Sequence, residues 1–386
     1  MFNDVKKAIV GLSLGHFAVD LYAAILVPLY PILTTKLGMN LAIISSYIAL
    51  GHLTSSLMQP VFGFLADKIK HRIFMVWGLV LSSIFIPLTT KATTPKIFLL
   101  CLLIGMLGNA FFHPQVSALI KQFNKDNPNL IQAMGVFLGL GTIGYAIGPY
   151  LATISVKSFG LDNFIYLSIF GIISAIFMYF FVPKIPSKEF YLQENFFTII
   201  KEIFKNKACM FLLMVSVIKS AVSISFGTYI PFLLQNKGLT ISQIGLIVTL
   251  FFISGGTATI FSSKIEKKLG ANGVVVLSFL TILPLTLAFL FLLDKLPLIA
   301  IIIFILTGFF ILLSVGVVVV QAQNKMPKYT GVISGVMQGF SWGLGAMFLA
   351  PMGFIGQNYG IDKILIIMAL IAFVAGIYTA KNKCID

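Results

Sequence analysis

Residues 11–31 read GLSLGHFAVDLYAAILVPLYP, and this stretch decides what kind of fold the sequence encodes. It is long and apolar enough to cross the hydrocarbon core of a bilayer as a helix, which takes about 20 residues. It also contains His16 and Asp20, which lie four residues apart and so share one helix face. An ionisable side chain at that depth is costly and normally faces a protein interior or a water-filled cavity. The stretch therefore predicts a membrane-spanning helix with a functional polar face.

The whole chain shares this apolar character. Of its 386 residues, 58% are hydrophobic and 10% are charged, and the mean hydropathy is +1.01. A soluble domain needs a far more polar surface, so the composition predicts an integral membrane protein. Lysines in the loops between apolar segments explain the net charge of +15, and no nucleic-acid binding is expected. The three cysteines lie far apart, which predicts no disulfide framework.

Apolar runs separated by Lys, Asn, Gly or Pro predict twelve membrane spans, six in each half of the chain. The predicted fold is an all-α membrane protein with two pseudo-symmetric six-helix bundles, at 1–183 and 208–386, around a central cavity. A cytoplasmic linker is predicted at 184–207. The predicted spans are 7–34, 40–66, 72–91, 95–120, 131–156, 161–182, 208–234, 239–263, 271–293, 297–323, 329–357 and 360–380.

The positions of the 27 lysines and arginines predict the orientation of the chain. Most of them fall in loops on the same side of the membrane as the N-terminus. Because cytoplasmic loops are enriched in Lys and Arg, both termini are expected in the cytoplasm, with the chain in a bacterial inner membrane. Lys219 is the exception, since it falls inside a predicted span.

The two halves also resemble repeats of each other. A shift of 200 residues lays the Gly-Val pair at 135–136 on a second Gly-Val pair. A shift of 203 residues lays the first span on the seventh, so that Lys219 corresponds to His16 and Ser223 to Asp20. Glycines four residues apart recur in the fifth and eleventh spans, where they favour close packing of helices or a sliding contact between the halves.

A segment after the second span carries a more specific signal. Residues 63–72, GFLADKIKHR, resemble the G-x-L-A-D-x-x-x-[KR]-[KR] signature of the major facilitator superfamily, and GYAIGP at 144–149 is similar to that superfamily's Gly-Pro motif of proton-driven antiporters. The resemblance implies two bundles that open a cavity alternately to either side of the membrane. The equivalent loop of the second half, 263–270, is degenerate. The resemblance implies gating roles for Gly63, Asp67, Arg72, Gly144, Gly148 and Pro149.

Three features of the first half resemble the fosmidomycin-resistance group of drug exporters within that superfamily. They are Gly15-His16 with Asp20, the segment from Gln59-Pro60 to Asp67-Lys68, and FHP at 112–114. This resemblance implies a proton-coupled antiporter that exports a small organic molecule, without a cofactor. The expected partners are the substrate, protons and lipid, and the expected state is a monomer.

Asp20, His16 and His113 are the predicted proton-coupling residues. Histidine titrates near neutral pH, so these side chains can load and release a proton as the cavity changes sides. A packing role is the alternative for each histidine. A second alternative is a metal ion held by these residues and His52, in a transporter of metal ions or chelates. Such a site needs ligands about 2.0–2.2 Å from the ion, and no H-x-x-x-H spacing indicates one.

Lys219 is the predicted substrate or gate charge. It can pair with Asp20, bind an anionic substrate such as a phosphonate or carboxylate, or snorkel to an interface. Neither the substrate nor the transport direction can be read from the residues. The other predicted substrate-binding residues are polar or aromatic: Tyr22, His52, Asn109, Gln321, Gln338 and Trp342.

The segment GFSWG at 339–343 matches the G-x-S-x-G motif of serine hydrolases. That motif requires a strained turn from a strand to a helix, whereas this segment continues a glycine-striped helix. The alternative from another functional class is an intramembrane hydrolase that uses Ser341 and His113. The sequence favours a transporter that is not an enzyme.

Overall fold

The computed structural model describes residues 2–69, 73–123, 130–182 and 196–382. Within these ranges the chain is helical and forms no β-strand. Eleven helical segments of the described chain are long and apolar enough to cross a membrane. One of them, Ile241–Leu292, contains both the eighth and the ninth predicted spans, separated by a non-helical Gly270 (φ 72°, ψ 167°). The all-α fold with twelve spans is confirmed, and the chain is a multi-pass membrane protein.

The chain forms two compact units. Unit 1 consists of Met1–Met39, Leu50–Phe190 and Leu239–Thr249. Its helices are α1 (Phe2–Ala24), α2 (Tyr30–Lys36), most of α3 (Leu41–Ile69), α4 (Ile73–Leu88), α5 (Pro95–Phe123), α6 (Leu130–Phe159) and α7 (Ser168–Phe181). The helices are joined in part by the 3-10 turns Val27–Leu29, Thr89–Lys91 and Leu161–Leu167.

Unit 2 consists of Asn40–Ala49, Tyr191–Gly238 and Leu250–Asp386. Its helices are α8 (Phe196–Lys205), α9 (Lys207–Asn236), most of α10 (Ile241–Leu292), α11 (Pro297–Leu312), α12 (Val315–Lys325), α13 (Thr330–Ser334), α14 (Ser341–Ala346), α15 (Leu349–Tyr359) and α16 (Ile361–Asn382). A 3-10 turn, Pro327–Tyr329, precedes α13, and a π-helical segment, Gly335–Phe340, joins α13 to α14.

The structure interrupts several of the predicted spans and places a helix in the predicted linker. The tenth predicted span is divided into α11 and α12, and the eleventh into α13, the π-helical segment, α14 and α15. The first span, predicted as one helix over 7–34, is interrupted by the 3-10 turn Val27–Leu29. Pro28 lies in this turn. It explains the interruption, because proline cannot donate the backbone hydrogen bond that a continuous helix requires. The predicted linker contains α8, which forms because Ile199 and Ile203, four residues apart, bury one face.

A glycine contact of the same kind occurs in each unit. In unit 1, a Cβ at Gly144 on α6 would collide with the backbone of Phe17 on α1. In unit 2, a Cβ at Gly345 on α14 would collide with Ser220 and Ala221 on α9. Glycine at each position therefore lets a helix pack closely on the first helix of its own repeat.

A second pair of contacts matches the predicted shift of 200 residues, which takes Ser45 to Gly245 and Thr153 to Gly353. Gly245, at the start of α10, faces Thr153 of α6 in unit 1, and Gly353 of α15 faces Ser45 of α3 in unit 2. Each repeat therefore centres on its first helix: α1 packs against α4, α5, α6 and α7, and α9 packs against α11, α12, α14 and α16. The polar residues of α1 and α9 consequently lie among other helices.

Candidate functional site

The three predicted proton-coupling side chains lie together inside unit 1. Oδ2 of Asp20 is 3.2 Å from Nε2 of His16, one turn earlier on α1, and Oδ1 of Asp20 is 3.3 Å from Nε2 of His113 on α5. The two imidazole rings are edge to face, with centroids 5.2 Å apart. The carboxylate thus joins two histidines from different helices. Spacing along the sequence could not show that His113 lies beside Asp20, because the two residues belong to different helices.

His16 is fixed in this cluster by α6. Its Nδ1 donates a hydrogen bond of 2.9 Å to the carbonyl of Phe137, and its ring stacks on the Phe137 ring with centroids 4.1 Å apart. His16 is 6% exposed, so it has no room to turn toward solvent. The Phe137 carbonyl accepts and cannot donate, which places a proton on Nδ1 and leaves Nε2 facing Asp20.

Glycines allow the surrounding helices to come this close. A Cβ on Gly141 of α6 would lie 2.5 Å from Cε1 of His16 and 2.7 Å from Oδ2 of Asp20. A Cβ on Gly15 would lie 2.7 Å from the sulfur of Met178 on α7. Both positions therefore need a residue without a side chain, because any Cβ would displace the cluster or its neighbours.

The hydrogen-bond pattern fixes the number of protons in the contact between His16 and Asp20. Since Nδ1 already carries a proton, the opposed Nε2 and Oδ2 need one further proton between them, on either atom. Without that proton, a nitrogen lone pair would face a negatively charged oxygen. The pair therefore holds together when it carries the proton and repels when the proton leaves.

The same three groups have a spacing that a cation can use. The ligand atoms of His16, Asp20 and His113 all lie within 4.8 Å of one another. This spacing arises between two helices, so the search for an H-x-x-x-H pattern within one helix could not detect it. His52, the fourth member of the predicted metal alternative, does not belong to this group.

Polar residues next to His113 connect α5 to α3. Oγ of Ser55 donates to Oδ1 of Asn109, one turn before His113, at 3.1 Å. Pro114 follows His113 inside α5 and removes the helical hydrogen bond to the carbonyl four residues earlier. His52 lies one turn before Ser55 on α3 and is half-buried. The predicted roles of Asn109 and His52 in substrate binding stay predictions.

Lys219 lies inside unit 2, on α9, and is 4% exposed. No ion pair or hydrogen bond joins it to a residue in the described part of the chain. Ser223, one turn later, is 1% exposed, and its hydroxyl has no hydrogen-bond partner there either. Pairing of Lys219 with Asp20 would join different units and stays a prediction.

The other predicted substrate-binding residues have varied surroundings. The hydroxyl of Tyr22 donates to the carbonyl of Leu167 at 2.6 Å and accepts from the backbone N–H of Gly171 at 2.9 Å, so it ties α1 to the start of α7. Nε2 of Gln321 donates to Oε1 of Glu266 at 3.1 Å. The remaining two are Gln338, which is exposed, and Trp342, which is half-buried.

The hydrolase alternative has a helical setting. Ser341 begins α14, is 1% exposed, and its hydroxyl donates to the carbonyl of Met337 at 2.6 Å. A nucleophile elbow instead projects its serine from a sharp turn after a strand. The geometry that activates a hydrolase serine is therefore missing around Ser341 in the described part of the chain.

Three of the predicted gating residues lie on α6. Gly144 packs on α1, and a Cβ on Gly148 would lie 2.9 Å from the carbonyl of Leu21, also on α1. Pro149 lies inside α6 and has no N–H to donate, and the backbone N–H of the next residue, Tyr150, donates to Oγ1 of Thr249 at 3.1 Å. These contacts hold α6 within unit 1, and the gating role stays a prediction.

The other predicted gating residues belong to the segment at 63–72. Gly63 and Asp67 lie in α3, which extends to Ile69, but their side chains are outside the described part of the structure. Arg72 lies outside the described residues altogether.

Sequence reasoning missed three residues that shape the cluster and its helix. Gly141 is not part of the four-residue glycine spacing of α6, and Phe137 contributes a backbone carbonyl, which no side-chain pattern reveals. Thr249 accepts a hydrogen bond from the backbone N–H of Tyr150, next to Pro149. No pattern in the sequence pointed to Thr249 either, because a proline within a helix leaves the carbonyl four residues earlier without its partner, and not an N–H.

Comparison with known proteins gives the following similarities. Residues 12–350 match the model of the Major Facilitator Superfamily. The chain is 26% identical over 377 residues to the fosmidomycin resistance protein of Escherichia coli strain K12, covering 93% of this chain and 89% of that protein. It is 24% identical over 259 residues to a protein of Staphylococcus epidermidis named "probable nitrate transporter NarT", covering 66% of this chain and 65% of that protein.

A solved structure has the same fold. The crystal structure of a mutant of the nucleoside transporter NupG superimposes with a TM-score of 0.81, covering 97% of this chain and 99% of that chain. The identity is 16%, so this likeness concerns the fold alone.

Proposed function

Since the chain belongs to the Major Facilitator Superfamily, we propose that it is a proton-coupled secondary transporter that exports a small organic molecule by alternating access. The observation that carries this proposal is the cluster of His16, Asp20 and His113 within unit 1. Ionisable groups inside membrane-spanning helices are costly and commonly mark proton pathways. The position of this cluster, with His16 buried and Asp20 and His113 partly buried, on the helix around which the bundle packs, fits that role.

The hydrogen bonds of the cluster supply the coupling step. With one proton between His16 and Asp20 the cluster can be electrically neutral, and His113 can donate Nε2–H to the carboxylate. When the proton leaves, the cluster carries one negative charge, and the Nε2 lone pair of His16 faces Oδ2 of Asp20. That arrangement favours a conformation in which water or another group solvates the carboxylate. Asp20 is therefore the main proton carrier, with His16 and His113 as its partners.

The named relatives support the remaining parts of the proposal. Similarity to a fosmidomycin resistance protein across 93% of the chain supports export of a drug-like molecule. The distribution of lysines and arginines supports an orientation with both termini in the cytoplasm of a bacterial cell. The transporter is proposed to act as a monomer, because each unit carries its own polar site.

The test is proton-driven transport by the Asp20→Asn variant. A substrate is first found by thermal stabilisation of the purified wild-type protein with a panel of small molecules that includes fosmidomycin. Wild-type protein in proteoliposomes should then accumulate that substrate when the lumen is acidic. Asp20→Asn removes the ionisable carboxylate and should reduce gradient-driven accumulation at least tenfold while leaving the protein folded.

Asp162→Asn is the matched control. Asp162 also belongs to unit 1, but its side chain is 77% exposed and only approaches Lys36, at 3.7 Å. Its neutralisation should leave transport unchanged. Full accumulation by Asp20→Asn under an imposed pH gradient would remove Asp20 from the mechanism and refute the proposed coupling.

A further inference from the structure

Lys219 lies too deep in α9 to reach either end of the helix. The helix has 30 residues, and a rise of 1.5 Å per residue places Lys219 roughly 18 Å from its start and roughly 25 Å from its end. The four-carbon stem of lysine spans only a fraction of either distance. Lys219 is also 4% exposed, so snorkelling to an interface does not explain it.

No described residue of unit 2 supplies a counter-charge. A buried cation normally pairs with an anion, because an isolated charge in an apolar interior is very costly. The described carboxylates of unit 2 contact other residues or are exposed, namely Asp294 beside Lys237, Asp362 beside Lys363, Glu266 beside Gln321, and the exposed Glu202. Among the described residues of unit 2, no carboxylate therefore compensates the charge of Lys219.

A second unsatisfied group lies on the same helix face. Ser223 is one turn after Lys219, and its buried hydroxyl makes no hydrogen bond in the described structure. A serine within a helix often bonds the carbonyl four residues earlier, as Ser45 does with Leu41. Ser216, one turn before Lys219, makes only a long contact of 4.0 Å with the sulfur of Met337. This face of α9 thus offers a cation, Lys219, and one hydroxyl donor, that of Ser223, without an acceptor in the described structure.

Comparison of the two repeats shows that unit 2 has no carboxylate at the position of Asp20. Lys219 and Ser223 correspond to His16 and Asp20, and in unit 1 the residue one turn later is a carboxylate that contacts its partner at 3.2 Å. In unit 2 the equivalent residue is a serine, which cannot balance a charge. The second repeat keeps the basic group but lacks the anion that the first repeat builds in.

From this difference we infer that Lys219 and Ser223 bind an oxyanion of the substrate, such as a phosphonate or carboxylate group. The ammonium supplies the charge, and the Ser223 hydroxyl donates a hydrogen bond to an oxygen of the same group. The inference rests on the proposed transport function and adds to it the chemical class of the substrate: a small molecule that carries at least one negative charge.

The test is thermal unfolding of the full-length purified protein with two anions and a neutral probe. Propylphosphonate and nitrate are the anions, and butyramide is the neutral control. We expect an anion to raise Tm by at least about 3 °C at saturation, as binding to the folded state requires, and butyramide to have no effect. Stabilisation by propylphosphonate indicates an organic anion as substrate, and stabilisation by nitrate alone an inorganic one; either result supports the site.

Two variants locate the effect. Lys219→Met should abolish the anion-dependent shift and raise Tm in anion-free buffer, because it removes an unpaired buried charge. Ser223→Asp should do the same by giving Lys219 a carboxylate of its own. Lys207→Met, an exposed lysine at the start of α9, is the matched control and should respond to anions like the wild type.

The inference is overturned if neither anion stabilises the wild type, if butyramide stabilises it equally, or if the shift persists in Lys219→Met. A lower Tm of Lys219→Met in anion-free buffer would also overturn it. These results are independent of proton coupling. Anion binding with normal gradient-driven transport by Asp20→Asn would refute the coupling alone.

Discussion

The substitution Gly141→Ala adds one methyl group beside the proton-coupling cluster. The new Cβ would lie 2.5 Å from Cε1 and 2.6 Å from Nε2 of His16, and 2.7 Å from Oδ2 of Asp20. Since non-bonded carbon atoms prefer separations of about 3.5–4.0 Å, the ring or the helix has to move by about 1 Å. That movement would lengthen the 3.2 Å contact between His16 and Asp20 beyond hydrogen-bonding distance.

The cost of this movement follows from what holds His16. Its Nδ1–H is bonded to the Phe137 carbonyl and its ring stacks on the Phe137 ring, so the ring cannot move without losing a contact. Loss of a hydrogen bond to a charged group costs about 1.5–3 kcal/mol, and over-packing without ring movement costs a similar 1–3 kcal/mol or so. About 2 kcal/mol corresponds to roughly thirtyfold in an equilibrium constant. We therefore expect a lower Tm and at least a tenfold loss of gradient-driven transport.

Gly139→Ala is the control on the same helix. A Cβ at Gly139 has no heavy atom within 4 Å, so the substitution adds no clash. Alanine is favoured over glycine within a helix by about 0.5–1 kcal/mol, so this variant should be as stable as the wild type or slightly more stable. Both variants are compared by thermal unfolding of purified protein and by substrate accumulation in proteoliposomes.

Equal behaviour of the two variants would refute the reasoning. If Gly141→Ala unfolds at the temperature of Gly139→Ala and transports at the wild-type rate, α6 does not press on His16 and Asp20. A Gly141→Ala protein that loses stability but retains full coupling would show that the contact between His16 and Asp20 is not the coupling element.

Two further predictions concern unit 1. Thr249→Val removes the acceptor for the backbone N–H of Tyr150. It should lower the free energy of unfolding, measured with denaturant, by about 1–3 kcal/mol. The control Thr142→Val, at an exposed position, should change it by less than about 0.5 kcal/mol. Tyr22→Phe leaves a buried carbonyl and N–H without their partner, so it should cost about 1–3 kcal/mol and lower Tm, whereas Tyr166→Phe, 60% exposed, should not. Wild-type stability of Tyr22→Phe with loss of transport would instead support direct substrate contact by Tyr22.

The fold could be predicted from the sequence because the bilayer imposes simple rules. A span must be apolar and about 20 residues long, so hydropathy alone locates the helices, including the two joined across Gly270. The repeat was also visible, since a shift of 200 residues lays the Gly-Val pair at 135–136 on a second Gly-Val pair. Helix interruptions such as the turn at Pro28 depend on local backbone bonding and were not located.

The cluster was predicted only in part. The proximity of His16 to Asp20 follows from helical spacing, whereas the approach of His113 depends on how α5 packs on α1. Two determinants leave no side-chain signal: the Phe137 carbonyl, which sets the proton on His16, and the missing side chain at Gly141. Tyr22 carried a side-chain signal, and the sequence predicted that it binds substrate. In the structure its hydroxyl joins α1 to α7 through hydrogen bonds.

The two repeats place different chemistry at equivalent positions. In unit 1, a basic and an acidic residue one turn apart satisfy each other through a proton, so the site responds to protonation without any other ligand. In unit 2, the equivalent lysine has a serine one turn later and no counter-charge among the described residues of that unit. A buried lysine without a counter-charge raises the free energy of the folded protein, so an anion that binds beside it would lower that free energy. A carboxylate retained at position 223 would have neutralised Lys219 permanently and left nothing for a substrate to supply. If both proposals hold, the divergence between Asp20 and Ser223 separates proton binding from substrate binding within a duplicated fold.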